Sequence, residues 1–293
     1  MKQVIAVVGP TASGKSAFSV ALAKLCGAEI ISADSMQIYK GLDIGTAKIR
    51  PQEMQGVPHH LIDIVEPTDS FSVQQYQARA EGVMDTLRKH NTLPIIAGGT
   101  GLYVQSLLYS LDFFEASPNP SLRKELEEKS DDALYRLLAK RDPKRAANIH
   151  PNNRRRIIRA LEILAAGKRP ENNGFRTKRE DLSAKIYGLI VERDLLHRRI
   201  ETRVDQMLED GLIEECRAQL FPNGLHTQAA SAIGYAETLA YLRGLCTKKE
   251  LRNNIIVHTR QYAKRQMTWF RRMDVEWIPH TTDPEVIARR FYE

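Results

Sequence analysis

The sequence predicts an α/β fold: a parallel sheet core with crossover helices, interrupted by a mostly helical insertion domain. Two observations support this prediction. Over the first ~110 residues, short β-branched runs alternate with longer helical patterns. Beyond residue 113, helical patterns and basic residues dominate until a strand-like run returns at Lys185. We therefore predict a core formed by residues 1–113 and 185–293, and an insertion formed by residues 114–184.

The predicted elements follow in a regular order. The strands are residues 4–8, 29–33, 60–65, 93–97, 185–191 and 275–278. Helices are predicted over residues 18–25 and 72–90, and the chain from Asp194 onward is largely helical. The insertion holds predicted helices at residues 121–129, 131–141 and 152–166, between a turn-rich linker at 115–120 and a polar loop at 171–181.

Composition and charge narrow the class of protein. Of the 293 residues, 42% are hydrophobic and 27% charged, as in ordinary folded proteins. The net charge of +7 is concentrated: residues 141–203 contain 17 Lys or Arg against 8 Asp or Glu. A second basic cluster lies in residues 260–272. Such clustering is typical of a protein that binds a polyanion, although either cluster alone could be an ordinary solvated surface.

Cysteine spacing and hydropathy argue against a zinc-binding, disulfide-rich or membrane-spanning protein. The three cysteines, Cys26, Cys216 and Cys246, are isolated and have neither zinc-site nor disulfide spacing. No apolar run approaches the ~18–20 residues that span a bilayer. The N-terminus enters a strand almost at once, without a signal peptide. We therefore expect a cytoplasmic protein that does not bind membranes, and we expect a monomer.

The most specific motif spans residues 9–16, Gly-Pro-Thr-Ala-Ser-Gly-Lys-Ser, which fit the phosphate-binding pattern Gly-x4-Gly-Lys-Ser/Thr. The motif lies between a predicted strand and a predicted helix, as it must, and this predicts a P-loop NTPase-like core. Backbone amides and the helix N-terminus would bind phosphate oxygens, Lys15 would reach the terminal phosphate, and Ser16 would ligate Mg²⁺. The predicted phosphate-binding residues are Gly9, Pro10, Thr11, Ala12, Ser13, Gly14, Lys15 and Ser16.

Two further polar motifs follow strand ends. Asp34 comes directly after the second strand, and Gly98-Gly99-Thr100 follows the fourth. Ligands of open α/β sheets bind outside the carboxyl ends of the strands, so these motifs and the phosphate-binding loop should share one crevice. Asp34 could help to bind Mg²⁺, accept a proton from a substrate, or merely cap a turn.

The basic segments suggest where a polyanion would bind. In residues 152–166, Arg155 and Arg159 fall on one helix face, opposite an apolar face, and are available to phosphates. In residues 259–272, Tyr262, Trp269 and Phe270 interleave with basic residues. That mixture suits stacking on RNA bases, and core packing of the rings is an equally good interpretation.

Together, these motifs resemble those of bacterial tRNA dimethylallyltransferases. The resemblance covers essentially the whole chain. The motifs are residues 9–16, 34–39, 41–48, 58–63, 98–103, 149–152, 159–162 and 259–266. The resemblance implies that the loop of residues 9–16 binds the diphosphate of dimethylallyl diphosphate. It also implies transfer of the prenyl group to the exocyclic amine of the adenine just 3′ of the anticodon, in tRNAs reading codons that begin with U.

The resemblance also implies residue roles. Asp34 would be the general base, while Thr100 and Arg203 would hold the diphosphate and oxygens that develop charge; Ser16 would ligate Mg²⁺, the implied cofactor. The implied tRNA-binding residues are Asp34, Ser35, Met36, Gln37, Thr100, Arg123, Arg155, Arg156, Ile157, Ile158 and Arg159.

Two other functions share some of these features. A P-loop kinase of a small molecule or nucleotide would use the same loop, Mg²⁺ and Asp34, but it would not account for two basic clusters. A GTP-dependent RNA-binding switch would need an Asn-Lys-x-Asp motif, which the chain lacks.

Overall fold

The computed structural model describes residues 2–110, 119–167, 177–221 and 227–292. Within them, one six-stranded sheet has the order β3-β2-β4-β1-β5-β6, and every pair of neighbours is parallel. The strands are β1 (Lys2–Val8), β2 (Glu29–Ser32), β3 (His59–His60), β4 (Pro94–Gly98), β5 (Leu182–Ile190) and β6 (Glu276–Pro279). The predicted parallel α/β core is confirmed.

Helices connect and follow these strands. The first four are α1 (Lys15–Cys26), α2 (Pro51–Met54), α3 (Val73–Lys89) and α4 (Gly101–Leu108). The next four are α5 (Pro120–Glu127), α6 (Asp131–Arg141), α7 (Pro143–Ala146) and α8 (Arg154–Ala165). The last five are α9 (Arg193–Glu209), α10 (Leu212–Gln219), α11 (Tyr235–Leu242), α12 (Lys248–Phe270) and α13 (Pro284–Tyr292). A short 3₁₀ turn occupies Ala229–Ser231. Among all the residues that the structure describes, no helix is both long and apolar enough to cross a membrane.

The core of the sheet is apolar because its central strand is covered on both faces. Residues 4–8 of β1 are completely buried. On one side, the apolar residues of α1 and α13 pack with those of β1, β4, β5 and β6. Elsewhere α3 packs against α4, where the Tyr76 and Tyr103 rings stack with their centroids 3.8 Å apart. The Tyr76 hydroxyl donates a hydrogen bond to the Ser32 carbonyl at 3.1 Å.

The strand register brings three loops to one edge of the sheet. Val8 of β1 lies opposite Gly98 of β4, and Ser32 of β2 lies opposite Ala97. The carboxyl ends of these three adjacent strands are therefore level. The loop after each one starts from the same edge, as expected for ligand sites in open parallel sheets.

The structure corrects two predicted strands. The run at residues 60–65 was expected to be a strand, yet β3 ends at His60 because Leu61 and Asp63 take left-handed φ angles of 63° and 55°. The fifth strand begins at Leu182, three residues earlier than predicted, because it pairs with β1 from Lys2 onward. Lys178 also bridges to Tyr109.

The chain divides into two compact units, one of residues 1–110 and 177–293 and the other of residues 111–176. Residues 177–184 thus belong with the sheet rather than with the predicted insertion. In the smaller unit, α5 to α8 enclose their own core, formed by Leu134, Leu138, Ile157 and neighbouring apolar residues. Residues 115–118 and 171–176 of the predicted linkers lie outside the described residues.

Candidate active site

The phosphate-binding loop leads directly into α1. Gly14 is the N-cap of α1 with φ 93°, a left-handed angle that favours glycine, and no side chain caps the helix there. The amide N–H groups of the first helical turn are therefore available to an anion. The Lys15 ammonium donates to the Pro10 carbonyl at 2.6 Å. The Ser13 hydroxyl is buried and has no hydrogen-bond partner among the described residues.

Asp34 lies beyond the end of β2, where the backbone of the two residues at positions 36 and 37 fixes its carboxylate. Oδ1 accepts hydrogen bonds from the Met36 amide at 2.9 Å and the Gln37 amide at 3.4 Å. The capping role that the sequence left open is therefore present. Asp34 also lines the large cavity beside the loop, so the turn orients a carboxylate that faces a ligand site.

Thr100 and Arg203 hold neighbouring loops together. The Thr100 hydroxyl accepts a hydrogen bond from the Ser35 amide at 3.0 Å and donates to the Ser35 hydroxyl at 3.2 Å. Arg203, on α9, donates from Nη1 to the Thr11 hydroxyl at 3.2 Å. Arg203 therefore contacts the phosphate-binding loop, as predicted for a diphosphate-binding residue. The Thr100 side chain instead contacts Ser35, the residue next to Asp34.

Lys15, Asp34 and Arg203 line one cavity of about 600 Å³ in the larger unit, whereas Thr100 is not among its lining residues. Its charged lining includes Lys15, Asp34 and Arg203. Its apolar lining comes from Ile44, Ala47, Ile49 and Met207, together with the aliphatic parts of neighbouring side chains. The predicted convergence of the loops after β1, β2 and β4 is present. The lining thus offers cations to an anionic group and apolar side chains to a hydrocarbon group, beside the further acidic residues Asp43, Glu53 and Asp210.

Burial perturbs all three charged groups. It lowers the pKa of Lys15 to about 7, with help from the nearby positive charge of Arg203 and against the attraction of Asp34. It raises the pKa of the Asp34 carboxyl, although the Met36 and Gln37 amides and the two cations oppose this effect. It also lowers the pKa of Arg203. Each group is thus poorly solvated and would gain from a complementary ligand charge.

Sequence reasoning gave no individual role to several residues that shape this cavity. Lys48 is buried, and its ammonium contacts the Asp43 and Asp63 carboxylates, each at 2.5 Å. The Glu215 carboxylate accepts hydrogen bonds from the amides of Asp43 at 2.8 Å and Ile44 at 2.9 Å. Lys48 belongs to a motif that carried the family resemblance, but nothing near Glu215 in the sequence indicates its role.

Two residues of α12 also reach the site. Gln266 is 5% exposed and bonds to two backbone groups, the Thr11 amide and the Gly99 carbonyl. The Tyr262 hydroxyl interacts with the side chains of Thr100 and Gln266, and burial raises its pKa. Farther along the helix, Phe270 is fully buried, so core packing is the correct interpretation for that ring.

The smaller unit contains the predicted arginine-rich helix, α8. Arg155 and Arg156 are exposed, and their side chains make no ion pair with other described residues. Arg159 and Arg123 both approach the buried Glu162 carboxylate, at 3.4 Å and 3.6 Å respectively. The Glu162 carboxylate thus lies near two of the predicted RNA-binding arginines, and Arg123 also pairs with Glu127 at 3.0 Å.

Ile157 and Ile158, also predicted to contact tRNA, are 0% and 3% exposed in the core of the smaller unit. Their side chains pack away from solvent because they lie on the apolar side of α8. The arginines are therefore the groups of this helix that a polyanion can reach. Asn153 caps the helix by accepting a hydrogen bond from the Arg156 amide at 3.4 Å.

Comparisons with known proteins agree on one family. The sequence profile of the family described as IPP transferase matches residues 37–273. The tRNA dimethylallyltransferase of Anoxybacillus flavithermus is 47% identical over 296 residues, covering 100% of this chain and 94% of the relative. The tRNA dimethylallyltransferase of Bacillus subtilis is 48% identical over 285 residues, covering 95% of this chain and 91% of the relative.

Solved structures give the same result. The full-length tRNA isopentenylpyrophosphate transferase of Bacillus halodurans matches with a TM-score of 0.74 at 42% identity, covering 100% of this chain and 95% of that one. A eukaryotic dimethylallyltransferase, described as acting on tRNA, matches with a TM-score of 0.81 at 30% identity, covering 96% of this chain and 74% of that one.

Fold and site together define a P-loop NTPase-like α/β protein whose phosphate-binding loop shares a cavity with a half-buried carboxylate. The sequence matches cover nearly the whole chain at high identity, so they identify the family within this class. The chain belongs to the tRNA dimethylallyltransferase (IPP transferase) family.

Proposed function

We propose that this protein transfers the dimethylallyl group from dimethylallyl diphosphate to the exocyclic N6 amine of a tRNA adenine, releasing diphosphate. The acceptor is the adenine 3′-adjacent to the anticodon in tRNAs reading codons that begin with U. The observation that carries the proposal is a single cavity lined by Lys15, Arg203 and Asp34. Membership of the family supports the same reaction, since the relatives are named for it.

The donor's two halves match two kinds of residue in the lining of the cavity. Its diphosphate would accept hydrogen bonds from the amides of the first turn of α1 and from the Lys15 and Arg203 side chains. Its hydrocarbon would contact the apolar lining that includes Ile44, Ile49 and Met207.

Asp34 would supply the proton acceptor. The exocyclic nitrogen of adenine is a weak nucleophile because its lone pair is delocalised into the ring. As the new N–C bond forms, the C–O bond to diphosphate breaks and its electron pair leaves on the diphosphate oxygen. The amine proton passes to the Asp34 carboxylate, whose raised pKa makes it a stronger base than an ordinary aspartate.

Mg²⁺ is part of the proposal. Among the described residues there is no cluster of three or more His, Cys, Asp or Glu side chains that could hold a metal ion. Mg²⁺ commonly binds through one or two protein groups and several substrate phosphate oxygens, so such a cluster is not required. Ser16, in the first turn of α1, would hold the ion, with Asp34 as the nearby carboxylate. Bound there, Mg²⁺ would neutralise charge developing on the leaving diphosphate.

Recognition of tRNA would combine base and phosphate contacts. The adenine must leave its stack to be modified, which costs a few kcal/mol and less in a loop than in a duplex. Residues 34–37 and Thr100 would hold the extruded base. Arg123, Arg155, Arg156 and Arg159 would contact phosphates of the anticodon stem-loop, where guanidinium groups pair well with phosphate oxygens.

The test is incubation of the protein with labelled dimethylallyl diphosphate and total tRNA, followed by analysis of the modified nucleosides. We expect label on N6 of one adenosine and release of one diphosphate per transfer. A parallel incubation with labelled ATP separates this function from the kinase alternative, since a kinase would transfer the γ-phosphate and a prenyltransferase consumes no ATP. Label transfer from ATP without prenylation of tRNA would refute the proposal.

A further inference from the structure

One buried side-chain amide links two loops of the candidate active site. Gln266 lies on α12 and is 5% exposed. Its Oε1 accepts a hydrogen bond from the Thr11 amide at 2.8 Å, and its Nε2 donates to the Gly99 carbonyl at 3.0 Å. These partners are far away in sequence, so α12 ties the loop after β1 to the loop after β4.

Both of these loops line the cavity, and each contacts a different group of the candidate active site. Thr11 belongs to the phosphate-binding loop, and its hydroxyl also accepts the hydrogen bond from Arg203. Gly99 precedes Thr100, which accepts the amide hydrogen bond of Ser35, next to Asp34. Hydrogen bonds, together with the backbone of Thr11 and the Gly99–Thr100 peptide, therefore connect the phosphate-binding loop through Gln266 to the segment that contains the carboxylate.

The chemistry of this link is specific to an amide. The Thr11 N–H is a donor and the Gly99 carbonyl is an acceptor, so the side chain between them must offer one acceptor and one donor. Gly99 permits the close approach, because a Cβ there would lie 2.1 Å from the Gln266 Nε2 atom. A side chain of similar size without both functions would leave a buried backbone group unpaired.

We propose that Gln266 is a positioning residue that fixes the diphosphate loop relative to the Asp34 segment. The proposal rests on the proposed function for its consequence in catalysis. If the two loops shift independently, the leaving group and the proton acceptor lose their mutual alignment. Small displacements of this kind reduce rates by about 10²-fold. Loss of Gln266 should therefore weaken diphosphate binding and lower kcat together.

The first test compares Gln266→Met with a matched control, Gln77→Leu. Gln77 donates from Nε2 to the Ser106 carbonyl at 2.8 Å, a similar amide–carbonyl bond outside the cavity. Inorganic diphosphate binding is measured by calorimetry, and kcat and KM are measured with dimethylallyl diphosphate and tRNA. We expect Gln266→Met to weaken diphosphate binding about tenfold and lower kcat by about 10²-fold. Gln77→Leu should change neither.

The second test separates positioning from simple loss of stability. In Gln266→Glu, a charged carboxylate can accept from Thr11 but repels the Gly99 carbonyl, whereas a protonated carboxyl can make both hydrogen bonds. Diphosphate affinity of this variant, divided by that of the wild type at each pH, should rise as the pH falls. Thermal unfolding at each pH verifies that both proteins are folded.

Two results would overturn the proposal. One is a folded Gln266→Met protein with wild-type kcat and diphosphate affinity. The other is a Gln266→Glu affinity ratio that stays constant with pH. The diphosphate series needs no tRNA, so it still tests the link between the loops if the wild-type protein fails to prenylate tRNA. Failure of prenylation by the wild type would refute the proposed function alone.

Discussion

The crevice beside the sheet and the arginine-bearing face of α8 use charge in opposite ways. In the crevice, Lys15, Asp34 and Arg203 are poorly solvated, and each has a shifted pKa. On α8, Arg155 and Arg156 are exposed to solvent. The sequence predicts that both regions bind anions. In the crevice, where the charges are partly buried, ligand affinity should depend strongly on each single group. On α8, where the charges are exposed, affinity should depend mainly on how many charges are present.

The difference has a physical origin in the dielectric around each charge. A buried ion interacts strongly with a neighbour or ligand and is costly to leave unpaired. An exposed guanidinium is already hydrated, so each phosphate contact adds little and is weakened by salt. Changes in the crevice should therefore alter chemistry by orders of magnitude, whereas changes on α8 should alter the salt dependence of binding.

The largest effect is expected for Asp34→Asn. The amide keeps the shape of the side chain and the oxygen that caps the turn, but it cannot accept the proton. Turnover should fall by about 10²–10⁴-fold while tRNA affinity changes little. Single-turnover prenylation and tRNA binding measure the two quantities, with Asp85→Asn on the exposed surface of α3 as a control. Near-normal turnover of Asp34→Asn would exclude the general-base role.

Lys15→Ala tests the phosphate end of the same crevice. Hydrogen bonds to charged groups contribute about 1.5–3 kcal/mol, so losing the ammonium should weaken binding by roughly 10- to 100-fold. Dimethylallyl diphosphate and inorganic diphosphate should be affected equally, because both place the same oxygens on the loop. Competition binding of the two ligands provides the measurement. Lys40→Ala, whose exposed ammonium pairs with Glu66, should leave both affinities unchanged.

The shifted pKa of Lys15 predicts a pH dependence. In the free protein the pKa is about 7, so the ammonium is largely neutral above that pH. Bound diphosphate favours the charged form, so binding takes up a proton and the affinity should fall as pH rises above 7. The limiting slope is about tenfold per pH unit. Calorimetry in buffers of different ionisation enthalpy detects this proton uptake.

Comparison with Lys15→Ala at each pH removes the contribution of the ligand's own ionisation. A wild-type affinity that parallels that of the variant would show that Lys15 does not titrate in this range. Asp34 should determine the acid side of the pH profile of kcat/KM. Because its pKa is raised, kcat/KM should begin to fall at a pH above that for an ordinary aspartate as the solution is acidified.

The sequence predicted the crevice well because its determinants are local. The phosphate-binding loop, Asp34 and Thr100 each follow a strand end, and a parallel sheet necessarily brings such ends to one edge. The role of Gln266 could not be predicted in the same way. It belongs to the motif of residues 259–266, but its partners, Thr11 and Gly99, lie 255 and 167 positions away.

The incorrect third strand has a different cause. Residues 60–65 show an apolar pattern suited to a strand, but the backbone turns at Leu61 and Asp63 with positive φ. The Asp63 carboxylate is held by the buried Lys48 ammonium, which also binds Asp43. Tertiary ion pairing thus stabilises a backbone conformation that local propensity does not favour.

The smallest effect is expected on α8. Arg155→Ala combined with Arg159→Ala should lower tRNA affinity and reduce the slope of log affinity against log salt by roughly one to two units. Dimethylallyl diphosphate affinity should stay constant, because no arginine of α8 lines its proposed cavity.

The measurement is tRNA binding across a salt series. Arg136→Ala combined with Lys140→Ala on α6 removes the same charge from the same unit and serves as the control. A wild-type slope for the Arg155/Arg159 variant would make this face an ordinary solvated surface. The search for the RNA-binding site would then turn to α12, where Lys264 and Arg265 are exposed. Equal reductions in the two double variants would mean that only the net charge of the unit matters. A reduction confined to Arg155 and Arg159 would assign the phosphate contacts to this face of α8.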